Sequence, residues 1–117
     1  MTKLFERLEG YMLLSADAES DPITTMGMNR VSIQCITDNT NAVGELKLQL
    51  SNDGSNWNDG YFQLDGNTTQ MDGYSFTEAM PFNRCLFHEV FTGFVKLTYT
   101  STSGTGGLNY IIHKKRV

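Results

Sequence analysis

The chain has little of what most functional classes require. Its 117 residues include two histidines, two cysteines, two prolines and one tryptophan. Cys35 and Cys85 stand fifty positions apart, which sets up neither a zinc site nor a disulfide framework. Each sits in an apolar, strand-like run, so two buried free thiols are expected, with a cross-sheet disulfide as the alternative. His88 and His113 lack the H-x-H or H-x-x-x-H spacing of a metal site. Cys85 and His88 are three apart in a predicted strand, so their side chains leave by opposite faces and cannot form a dyad. No apolar run approaches the roughly 18 residues of a membrane-spanning helix, so no membrane partner is expected. No basic n-region leads into an apolar stretch, so no signal peptide is expected. Nine basic residues against thirteen acidic ones give a net charge of -4, which argues against a nucleic-acid partner.

Phosphate-cradling glycine motifs are missing as well. The glycine-rich "SGTGG" precedes no helix and is expected to be a hairpin turn. Asp38, Asn39 and Asn41, then Asn52, Asp53, Asn56 and Asp59, then Asp65, Asn67 and Asp72 make oxygen-rich loops. None has calcium-loop spacing, and Asn and Asp favour turns in their own right, so turns are expected over a calcium site. Neither cofactor nor metal is expected, and no catalytic set is apparent.

What is present is alternation. "RVSIQCI" places Val31, Ile33 and Cys35 on one face, and "ELKLQLS" does the same with Leu46, Leu48 and Leu50. The two runs, joined by a polar segment, read as an antiparallel hairpin with one wet face. "FVKLTYT" brings Val95, Leu97 and Tyr99 inward, and "LNYIIHK" brings Leu108, Tyr110 and Ile112. Asn52-Asp53-Gly54 is a strong turn signal, with Gly54 expected at positive φ. Eleven glycines and strands recurring every 8–12 residues or so predict an all-β protein: a single antiparallel β-sandwich of jelly-roll type with about eight strands. The sandwich is expected over residues 13–117, behind a short N-terminal arm at residues 1–12.

In that arm, Leu4, Phe5, Leu8, Tyr11 and Met12 fall on one helical stripe, which Thr2 would cap and Gly10 would end. A short helical turn or arm is expected there, with "YMLLSA" as an equally good first strand. A stripe this short cannot bury itself alone. Leu4, Phe5, Leu8 and Met12 are therefore assigned as contacts to a neighbouring subunit. Lys114, Lys115 and Arg116 form a basic tail on a body with twelve acidic and four basic residues over positions 8–113. They are assigned as a second contact, to acidic surface. Trp57, Tyr61, Phe62, Phe91 and Phe94 are the candidates for a sugar-stacking platform, although Trp57 is expected to pack over the sandwich edge.

The segment "LKLQLSNDGSNWNDG" resembles the strand and S-N-D-G-x-x-W turn of discoidin-like β-sandwiches. Together with "FVKLTYTSTSGTGGLNYIIHKKRV", it resembles small bacteriophage virion proteins over about residues 26–116. The resemblance implies a capsid-associated structural protein located in the virion. It would be a decoration or minor capsid component, partnered by the major coat protein and by copies of itself as a homo-oligomer. No ligand-binding loop of the discoidin family matches here. The alternative on the same fold is a carbohydrate-binding or host-attachment module.

Overall fold

The computed structural model describes residues 5–37, 41–64, 69–76 and 82–117. Leu4, the turn residues Asp38, Asn39, Asp65 and Asn67, and Pro81 lie outside them. The described residues hold eleven strands and no helix: β1 (Phe5–Leu13), β2 (Ala18–Glu19), β3 (Ile23–Thr24), β4 (Arg30–Thr37), β5 (Val43–Ser51), β6 (Asn58–Asp59), β7 (Gln63–Leu64), β8 (Tyr74–Phe76), β9 (Phe82–Glu89), β10 (Phe94–Ser103) and β11 (Gly107–Lys115). They form two antiparallel sheets. One runs β1-β11-β4-β9-β7; the other runs β2-β10-β5-β6, with β3 also on β10 and β8 also on β5. The all-β sandwich expected from the alternation is the fold. Its strand count exceeds eight because short strands of two or three residues flank the long ones.

The pairing of the long strands differs from the expected hairpins. β4 and β5 do not pair; they lie in opposite sheets. A hairpin would place the Val31-Ile33-Cys35 and Leu46-Leu48 stripes side by side, still needing a cover. Turning β5 over onto β4 lets each stripe cover the other, and all five side chains are buried. The same holds for β10 and β11, so "SGTGG" carries the chain across the sandwich and is not a hairpin turn. Eleven of the twelve residues expected on the inward faces are buried, and Leu50 is partly buried against the cluster. Cys35 is among the buried residues; burial, reinforced by nearby Cys85, pushes its thiol up to about 12. Cys85 is half-buried, and the two are not disulfide-bonded.

The hairpin expected at Asn52-Asp53-Gly54 does form, between β5 and β6, with Gly54 at φ 78°. The Ser51 hydroxyl accepts the amides of Asp53 and Gly54, and the Asp53 carboxylate accepts those of Ser55 and Asn56 at 2.9 and 2.8 Å. These bonds hold the Asp53 carboxyl well below the usual carboxylate range, led by the Asn56 amide.

The helical turn expected before the sheet is absent from the described residues. Residues 5–13 are instead the outermost strand of the first sheet, in unbroken register with β11 from Phe5↔Lys115 to Leu13↔Gly107. Leu8 and Met12, four apart, share a face in a helix and in a strand alike, whereas Tyr11, on the same helical stripe, leaves by the opposite face of β1. Gly10, expected as a helix end, lies mid-strand, where a Cβ would overlap the Tyr110 ring folded across it.

Two outcomes test this core. Leu48→Ala is expected to lower unfolding free energy by about 2–5 kcal/mol in urea, since Leu48 is 1% exposed. Buried His88 supplies the second. Its Nδ1 lies 2.9 Å from the Tyr61 carbonyl, which can only accept, so Nδ1 carries the proton of a neutral ring. Burial lowers its pKa, partly offset by that carbonyl and by Glu89. Just below pH 6.5 or so the unfolded chain therefore binds more protons than the fold. Stability is expected to be complete above that value and to fall as pH drops towards 5 or so, with a shallower fall in His88→Leu.

Candidate assembly surface

The seven residues assigned to assembly do not behave as one set. Leu4 lies outside the described residues. Met12 is 4% exposed and belongs to the chain's own core, so it is not a contact for a neighbour. Lys114 is not part of a free basic tail either. Its side chain turns inward from β11, donates to the Thr24 carbonyl at 2.8 Å and pairs with Glu6 at 3.2 Å. The parity of β11 explains this: Leu108, Tyr110, Ile112 and Lys114 share the inner face, and the last of them reaches the open end of the sandwich. Phe5 at 62%, Leu8 at 36%, Lys115 and Arg116 remain at the surface.

The two ends of the chain nevertheless meet. Glu6 is the direct cross-strand neighbour of Lys114, and Phe5 that of Lys115. Phe5 also sets its ring edge-on to His113, with centroids 5.5 Å apart. Arm and tail thus form one surface at one margin of the first sheet.

That margin extends further than the assigned residues. The odd-numbered side chains of β1 (Phe5, Arg7, Glu9, Tyr11 and Leu13) all point to the outer face and are all exposed. Tyr11 lies across Gly107, where no Cβ intervenes, and Leu13 is 60% exposed. Ile36 and Ile111 adjoin on the same face, half-buried. Arg7 and Glu9 pair with each other at 2.6 Å along the strand. Tyr11 and Leu13 were not among the assigned contacts because their prominence depends on period-two parity, which the helical stripe obscured.

The candidate aromatics do not gather into a platform among the described residues. Phe62 is fully buried. Trp57 is half-buried, with the Lys96 ammonium 4.5 Å from its ring centroid, and Lys96 is held in turn by Glu19 at 3.1 Å. Trp57 therefore covers the Lys96 ammonium beside the edge strand β6. Tyr61 sets its ring edge-on to His88 and Phe94 lies over Gly54, which leaves Phe91 exposed. Among the described residues no group of three or more His, Cys, Asp or Glu is placed to hold a metal ion. Among the described residues no helix is long and apolar enough to cross a membrane.

Removing the buried ammonium leaves the Thr24 carbonyl and the partly covered Glu6 without their donor. Lys114→Ala is therefore expected to cost roughly 1–3 kcal/mol in urea denaturation. Truncating the exposed Lys115 is expected to cost less than about 0.5 kcal/mol.

No protein-family model matches the chain, and no curated protein matches its sequence. Among solved structures, it is similar to the SPBc2 prophage-derived protein YomS, with a TM-score of 0.68 at 9% identity. The likeness covers 97% of this chain and 96% of that one, so the two share one architecture from end to end.

Proposed function

We propose that the chain is a structural protein of a bacteriophage virion: a small sandwich that binds the major coat protein and further copies of itself and so stabilises the particle. The observation that carries this reading is the end-to-end likeness in fold to a prophage-derived protein. The surface supports it. Exposed side chains of Phe5, Tyr11 and Leu13 stand along one margin of a rigid sheet, where a partner would remove them from water. Lys115 and Arg116 beside them offer positive charge to an acidic neighbour.

The test is the composition of the particle. Virions made from the genome that encodes the chain are purified on a density gradient and quantified by mass spectrometry. The chain is expected at a fixed ratio to the coat protein, and the purified chain is expected to bind empty shells. Particles that lack it, together with shells that do not retain it, overturn the reading.

A further inference from the structure

Natural sheets blunt their edges, because an open row of N–H and C=O groups is a template for another chain. This sandwich does so nearly everywhere: its described edges end in β2, β3, β6, β7 and β8, strands of two or three residues. β1 is the exception. It is nine residues long, its register with β11 has no bulge, it contains neither proline nor lysine, and no described strand lies beyond it.

The open hydrogen-bonding groups of β1 can be identified. The Leu14 amide donates to the Gly106 carbonyl at 2.9 Å, continuing the same ladder. Antiparallel residues alternate between bonding inward and outward. The even-numbered residues of β1 therefore bond β11, and Phe5, Arg7, Glu9, Tyr11 and Leu13 aim theirs at the free edge.

We infer that two copies of this chain pair β1 against β1, antiparallel, about a two-fold axis at Leu8, joining their five-stranded sheets into one continuous sheet. This register satisfies several conditions together. It sets Arg7 opposite Glu9 of the second copy, and Glu9 opposite Arg7, so four charges alternate in sign around the axis. Phe5 falls opposite Tyr11, an aromatic pair on the outer face, and Leu8 meets its own copy on the inner face. Phe5, Arg7, Glu9 and Tyr11, all in outward-bonding positions, meet one another, so their backbone groups match as well. Moving the axis to Glu9 would set Glu9 against Glu9, and like charges directly opposite are destabilising. The contact is isologous and closed, so it yields a dimer and not a fibre. The inference deepens the proposed function, on which its place in a particle rests; the pairing itself rests on β1 alone.

The native mass of the full chain, measured by sedimentation over about a hundredfold range of concentration, tests it. A dimer is expected. Glu9→Pro removes an outward-pointing amide and the carboxylate that pairs with Arg7, but no backbone bond to β11, so this variant is expected to keep the wild-type circular dichroism and sediment as a monomer. The charge pair tests the register without touching the backbone. Arg7→Glu and Glu9→Arg each set like charges opposite one another, and each is expected to weaken the dimer about tenfold or more. The double variant Arg7→Glu/Glu9→Arg restores opposite signs and is expected to recover the dimer. A mixture of the two single variants is expected to form heterodimers. The inference is overturned if the wild-type chain is a monomer throughout, if the single variants dimerise as it does, or if the double variant is no better than either. A dimer that binds no shells sinks the virion reading alone; a monomer that binds them sinks the pairing alone.

Discussion

The structure depends on one constraint: each long strand has a single apolar face, and that face must be covered. In β4 the inward set is Val31, Ile33, Cys35 and Thr37; in β5 it includes Leu46 and Leu48. Neither stripe is wide enough to bury itself, and pairing them edge to edge would only widen the apolar surface. Stacking the strands in two layers covers both at once. From β6 onward the chain crosses repeatedly between the sheets, so that consecutive long strands β9, β10 and β11 again alternate layers. β4, β5, β10 and β11 each add one apolar row to the same interior.

Charge is admitted to this interior on strict terms. Lys114 is nearly inaccessible, yet its ammonium is met by Glu6 and the Thr24 carbonyl. Lys96 is covered by Trp57 and reaches Glu19. His88 is kept neutral by burial, which disfavours its charged form and outweighs the Tyr61 carbonyl that accepts a hydrogen bond from Nδ1. Lys114 carries its aliphatic stem into the sandwich and its charged head to partners at the rim, whereas Lys96 stands on the outer face of β10, sheltered there by Trp57. Glu6 and Glu19 come from the N-terminal strands, so these pairs also tie that region to β11 and β10.

The margin at β1 follows from the same rule. The inner side of this strand is spent on Met12 and on the Glu6–Lys114 pair, and Gly10 makes room for Tyr110. The outer side and the edge are left over. A sandwich that shortens its other described edges but keeps this one long and straight has an unspent set of backbone donors and acceptors beside its exposed aromatics.

The sequence by itself determined the parity of the long strands and the identity of the core. Alternation over 31–35, 46–50, 95–99 and 108–112 is a local property, and local spacing decides which side of a strand a residue occupies. Gly54 was legible for the same reason, since Asn-Asp-Gly specifies its own turn. Pairing was not legible, because alternation says which face is buried but not what buries it; β4 and β5 could be read as a hairpin until the second layer was in view. The N-terminal region was not legible because Leu8 and Met12, four apart, share a face in a helix and in a strand alike, and only hydrogen bonding to β11 resolves the tie. Lys114 shows the same limit. In the sequence it belongs to a run of three like charges, and its burial follows from standing at even parity on β11, opposite Glu6 and within reach of Thr24. Glu6 and Thr24 lie 108 and 90 residues away along the chain, and only the tertiary structure brings them to its ammonium.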